Sequence, residues 1–210
     1  MNLKRRYKIL ISLGLALCTL MVGIALGLGI IHTTGFIYDI DLEALNIPEE
    51  SGYSKEVCLE NYDYVMEYLA PFNNSEFELP SMAYSNTGAV HFEDCRTVFN
   101  TIYLFGAISF VILVLYFIFA KKDKVIYKLS GLFTLGLPAI TGLAIAINFD
   151  WAFTFFHKLV FNDQNWLFHP RYDPIITILP EEFFMHCGIF IAVIVVLCAA
   201  VLFIKGCIKK

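Results

Sequence analysis

Two histidine-bearing stretches hold most of the groups in this chain that could do chemistry. One is the hexapeptide His91-Phe92-Glu93-Asp94-Cys95-Arg96. The other runs from Phe149 to Phe184 and contains His157, His169, both tryptophans and several carboxylates. Histidine is the side chain best suited to taking up and releasing protons near neutral pH. His91 and His157, if they meet, form a base and an acid. Asp94, Asp173 and Glu181 are available to orient an imidazole or raise its basicity. Arg96 could hold a phosphate, a carboxylate or a backbone carbonyl. Cys95 follows His91 closely, but two such residues in a turn are a weak warrant for a nucleophile. No H-E-x-x-H or paired C-x-x-C spacing supplies a metal set, and no G-x-S-x-G elbow is present. The expected chemistry is therefore proton transfer, with a zinc site built from the histidines and acids as its rival.

Membrane-length runs must position these groups. The chain is 58% hydrophobic, with a mean hydropathy of +0.67. Crossing a bilayer core takes about 20 apolar residues, and residues 9–31, 98–120, 129–147 and 187–204 qualify. Gly23 and Gly27 form a small-xxx-small pair suited to close helix contact, and Pro138 is expected to kink the third span. The basic start followed by an apolar run resembles a signal peptide, but the run is too long and lacks an A-x-A-like site, so an uncleaved anchor is expected.

Charge sets the orientation. Lys4, Arg5, Arg6 and Lys8 precede the first run. Lys121, Lys122, Lys124 and Lys128 separate the second from the third, and Lys205, Lys209 and Lys210 follow the fourth. Positive loops stay inside, so both termini are expected in the cytoplasm. Segments 32–97 and 148–186 then face outward. Asp123 is the only acid on the basic side, which leaves the outer face acidic and excludes a nucleic-acid partner. Asp39–Leu45 and Lys55–Leu69 read as short helices, and 32–97 is too small for a core of its own. The fold expected is an all-α integral membrane protein: a four-helix transmembrane bundle with a small extracytoplasmic helical and irregular cap. Trp151, Trp166 and the phenylalanines of 149–184 read as an interfacial aromatic belt. Of the six cysteines only Cys58 and Cys95 are external, and spacing does not say whether they pair.

Two blocks of residues resemble the lipoprotein intramolecular transacylase family of Gram-positive bacteria. The first is Tyr62 to Leu69 together with SMAYSNTGAVHFEDCRTV, where a histidine is followed closely by an aspartate. Here these are His91 and Asp94, with Cys95 where the family commonly has valine. The second is FTFFHKLVFNDQNWLFHPRYDPIITILPEEFF, which matches an F-x-x-F-H start, a tryptophan, a proline–aspartate pair and an L-P-E-x-F-F close.

The resemblance implies an enzyme of the bacterial cell membrane that acts on a diacylated lipoprotein N-terminus. It would move the sn-2 acyl chain from glycerol to the cysteine α-amine and give the lyso-form. It implies no added cofactor and makes His91 and His157 the proton-transfer pair. Trp166 and the neighbouring phenylalanines would line a cleft for acyl chains, open to membrane phospholipid. No obligate protein partner is expected. Two other readings stay open on the residues alone. One is a membrane lipid hydrolase, with or without zinc; the other is a non-enzymatic sensor or accessory protein.

Overall fold

The computed structural model describes residues 3–120 and 123–208. Lys121, Lys122, Lys209 and Lys210, which entered the charge reading, lie outside the described residues. Ten helices and no strand are found among the described residues: α1 (Leu3–Thr34), α2 (Phe36–Ala44), α3 (Ile47–Ser51), α4 (Lys55–Tyr68), α5 (Asn86–Phe119), α6 (Lys124–Thr134), α7 (Gly136–Ile147), α8 (Phe149–Val160), α9 (Ile175–Ile178) and α10 (Glu181–Cys207). Four helical stretches are long and apolar enough to cross a membrane: Leu3–Thr34, Asn86–Phe119, Lys124–Ile147 and Glu181–Cys207. The helices thus outrun the apolar runs, because helical hydrogen bonding does not stop where hydropathy falls. The chain divides into two compact units.

One unit comprises residues 1–29, 102–147 and 188–210. Its helices touch through small residues. A Cβ on Gly23 would lie 2.9 Å from the Val195 side chain, and one on Gly27 would lie 3.1 Å from the Ile191 backbone. Gly131 is tighter still: its Cβ would come within 2.8 Å of the Ala199 carbonyl. Buried hydroxyls add contacts between helices, since Ser12 reaches the Ile126 carbonyl at 3.3 Å and Thr134 the Ala16 carbonyl at 3.4 Å. Leu15, Leu113 and Ile126 form an apolar centre. Lys8 pairs with Asp123 at 2.7 Å. The third run is broken into α6 and α7 at Leu135 rather than bent smoothly. The break lies one turn before Pro138, where the missing N–H frees a carbonyl. Leu104, Ile108, Ile140 and Leu143 are exposed, as suits helices that meet lipid rather than water.

The other unit comprises residues 30–101 and 148–187. Ser54 caps α4 by accepting from the Val57 amide, and Asn148 caps α8 by accepting from that of Trp151. Segment 32–97 shares much of its core with the later segment. Its Tyr38, Ile47, Tyr62 and Val65 are buried together with Ile175, Ile178 and Phe183 from the later segment. Tyr38 stacks on Tyr62 with centroids 3.8 Å apart, and Phe183 meets both edge-on. A second aromatic line runs Tyr68, Phe77, Phe92. All six cysteines are free.

Candidate active site

His91 lies in the second turn of α5, and the start of that helix is firmly held. Ser85 accepts from the Gly88 amide at 3.0 Å, which is an N-cap bond. Ser85 is in turn gripped by buried Asp173, whose two oxygens accept from the Ser85 amide at 2.8 Å and its hydroxyl at 2.9 Å. Gly88 makes room for this grip, because a Cβ there would displace the Asp173 carboxylate. His157 lies in the last turn of α8. Its Nδ1 donates to the Phe153 carbonyl one turn back, at 2.8 Å. A carbonyl can only accept, so neutral His157 carries its hydrogen on Nδ1 and leaves Nε2 bare.

The two imidazoles meet. Their ring centroids lie 6.0 Å apart, with 38° between planes. His91 is 6% exposed and His157 9%. Aromatic rings enclose them. Phe161 stands 4.7 Å from His91 and 5.6 Å from His157, and Phe168 stands 5.4 Å from His91. Phe153 and Trp166 flank His157 at 4.1 and 4.9 Å. Burial pushes the His157 imidazole below its ordinary range, and the bond to the Phe153 carbonyl only partly opposes this. In a dry enclosure two imidazolium rings at this separation would repel strongly, so a proton on one ring disfavours a proton on the other. A cleft of about 550 Å³ opens alongside, lined by Thr154, Lys158, Asn162, Asp163, Gln164 and Leu167, and shares Phe161 and Trp166 with the histidine enclosure.

A model of the family described as lipoprotein intramolecular transacylase Lit matches residues 10–184. The chain belongs to the lipoprotein intramolecular transacylase family. The fold agrees: the in meso structure of the membrane-integral transacylase from Bacillus cereus superposes with a TM-score of 0.86 at 30% identity, over 94% of this chain and 93% of that one. A second structure of the Bacillus cereus enzyme, with one histidine replaced by arginine, gives 0.82 at 29% identity, over 97% and 92%. An uncharacterised protein of Aquifex aeolicus (strain VF5) is 25% identical over 147 residues, 68% of this chain and 65% of its own length. The protein is thus a multi-pass membrane protein of an enzyme family.

Of the residues singled out in the sequence, the fold brings His91, His157 and Trp166 together. The carboxylates take other positions. Asp173 holds the start of α5 through Ser85. Glu181 is exposed in the first turn of α10, with the Asp150 carboxylate as a charged neighbour. Asp94 is half-buried, with Asp163 and Glu93 as charged neighbours. Arg96 donates to the Ser75 carbonyl at 2.8 Å and lies 4.3 Å over the Tyr68 ring, tying down the 70–85 connection. Contrary to the expectation that a carboxylate orients these imidazoles, the Phe153 carbonyl accepts from His157 and the Cys95 thiol touches His91. The one imidazole–carboxylate pair among the described residues joins His186 to Asp41, at 2.8 Å. The hexapeptide is also helical rather than a turn, which places Cys95 one full turn from His91 on the same face. Among the described residues no three His, Cys, Asp or Glu side chains converge as a metal-ligand set. Sequence reasoning missed the Ser85–Asp173 clasp, whose partners lie 88 residues apart.

Proposed function

We propose that this protein moves the sn-2 acyl chain of a diacylglyceryl-cysteine lipoprotein to the α-amino group of that cysteine, with His91 and His157 as the acid–base pair. The observation that carries the reading is the meeting of two buried imidazoles in an aromatic enclosure, within a chain of this family.

The chemistry follows from the groups. The α-amine nitrogen attacks the ester carbonyl, forming a C–N bond. The C–O bond to glycerol then breaks. One proton must travel from nitrogen to the departing oxygen, and nothing is oxidised or reduced, so the balance needs no cofactor and no outside acyl donor. The bare Nε2 of His157 takes the amine proton. The resulting imidazolium can return it to the alkoxide, and His91 serves the oxygen side. Proton transfer of this kind contributes roughly 10²–10⁴-fold. Amine and ester sit on one substrate molecule, so holding it folded against the pair can supply about 7–11 kcal/mol more. Phe153, Phe161, Trp166 and Phe168 suit that task, because they exclude water and contact lipid chains without competing for protons. In this reading the basic loops and both termini face the cytoplasm, and the histidines face outward at the bacterial cell membrane.

The test is to express the chain in a host that makes diacylated lipoproteins and fragment an N-terminal lipopeptide in the mass spectrometer. Acyl migration makes an isomer, so total mass stays constant while an N-acylated cysteine fragment appears. His91→Asn and His157→Asn should each reduce conversion by at least about a hundredfold while still inserting in the membrane. Loss of one acyl mass, with free fatty acid released, would identify a hydrolase. Near-parental conversion by both variants would remove the histidines from the mechanism.

A further inference from the structure

Cys95 is a group that the reaction as proposed leaves without a task, yet its sulfur lies 3.4 Å from Nε2 of His91. The two residues are four apart on α5 and share one face of the helix. At the other side of the ring, the buried Nδ1 of His91 has no hydrogen-bond partner. A polar atom so enclosed is normally satisfied, and an exception calls for a functional explanation.

We propose that the Cys95 thiol is a positioning group that donates its S–H to Nε2 of His91 and so holds the ring as the Nδ1–H tautomer. The inference rests on the transacylase reading above. A thiol is a weak donor and a weak acceptor, whereas a bare imidazole nitrogen is a good acceptor. The S–H also rotates freely to find that nitrogen. The ring's surroundings agree. Phe161 and Phe168 stand steeply inclined to His91, at 4.7 and 5.4 Å between centroids, and offer no hydrogen-bond acceptor that would compete with the thiol for this ring. The charged or titratable groups acting on His91 from other elements are His157 of α8 and Asp163 of the loop that follows. Neither takes the place of the thiol on Nε2.

The consequence is a division of labour. Held this way, His91 serves the oxygen side of the pair through Nδ1–H, steadying negative charge as it develops on the ester oxygen, while His157 takes the amine proton.

Cys95→Val keeps the volume and removes the donor; Cys95→Ser keeps a donor. Both are compared with the parent enzyme, in detergent on a diacylated lipopeptide, across pH. In the valine variant kcat should fall roughly threefold to tenfold, the worth of one modest hydrogen bond, with KM unchanged. The acid limb of kcat should move to higher pH, since Nε2 becomes free to take a proton. Cys95→Ser should keep both kcat and the limb close to the parent. Superimposable pH profiles for parent and valine variant would overturn the inference. So would an equal loss in the serine variant, or an acyl thioester trapped on Cys95. A parent enzyme without transacylation would instead sink the reading on which this rests.

Discussion

At the scale of single residues, the buried His157 ring predicts how activity responds to pH. Burial lowers the pH at which this imidazole becomes charged, relative to about 6.5 for an exposed one. The bare base therefore persists to lower pH than usual. The substrate amine is the harder group to keep neutral, with a pKa of about 7.7–8.0. The rate should accordingly climb between about pH 6.5 and 8 as the amine deprotonates, and the histidine limb should lie below that. An N-methylated lipopeptide amine of different basicity should move the upper limb and leave the lower one in place, as rate–pH curves would show. The same shift has a sign for stability. The unfolded chain binds the His157 proton more readily than the folded one, so this stabilisation is complete above about 6.5 and declines as pH falls toward the folded value. Phe161 touches both imidazoles and is 9% exposed. Phe161→Ala should destabilise by roughly 3 kcal/mol and lower kcat, whereas Phe161→Leu should restore most of the stability, as measured by thermal unfolding beside lipopeptide turnover.

At the scale of elements, α5 can hold the His91 ring in place only if its first turns do not fray. Helix starts leave four amides unbonded, and here Ser85 and Asp173 close that end. Asp173→Ala would leave the Ser85 amide and hydroxyl without their buried acceptor, at about 1–3 kcal/mol for each unsatisfied group. The expected result is a lower melting temperature together with lower kcat, since His91 rides on the loosened turn. Asp173→Asn keeps one acceptor oxygen and should fall between the two. The arrangement also explains why Asp173, though it lies in the chemically suggestive stretch, sits beneath the site and not in it. Its carboxylate is consumed by the helix that presents the histidine.

At the scale of the whole molecule, each unit has its own means of cohesion. The unit of 30–101 and 148–187 buries stacked aromatics and the Asp41–His186 pair. Asp41 is 2% exposed, while the His186 side chain is 39% exposed, so solvent screens the pair from one side. Asp41→Ala should cost about 1–3 kcal/mol, below the value for a fully buried pair, and the loss should shrink in high salt. The unit of 1–29, 102–147 and 188–210 combines close approach of its helices with buried hydroxyl bonds from Ser12 and Thr134 to carbonyls of neighbouring helices. Gly131→Val would drive a side chain into the Ala199 backbone and the Phe203 side chain. Overpacking of this kind costs typically about 1–3 kcal/mol. Thermal denaturation in detergent should register it, with turnover at saturating substrate changed much less.

Amino-acid order alone determined that this is an all-helical membrane protein, because four apolar runs of spanning length leave a chain few ways to satisfy its backbone in lipid. It also determined the family, through residues at fixed spacing around His91 and His157, and the tight seams at Gly23 and Gly27. It misplaced the start of α5. The polar residues 86–97 look like a connection by hydropathy, but a helix needs only backbone bonds and a capped end, and the cap acts through Asp173 far along the chain. Proximity of the two imidazoles, the contact of Cys95 with His91, the diversion of Asp173 to Ser85 and the pairing of Asp41 with His186 were all decided by tertiary structure. Each joins groups whose nearness depends on how separate helices pack or on which way a turn winds. Neither composition nor local periodicity carries that information.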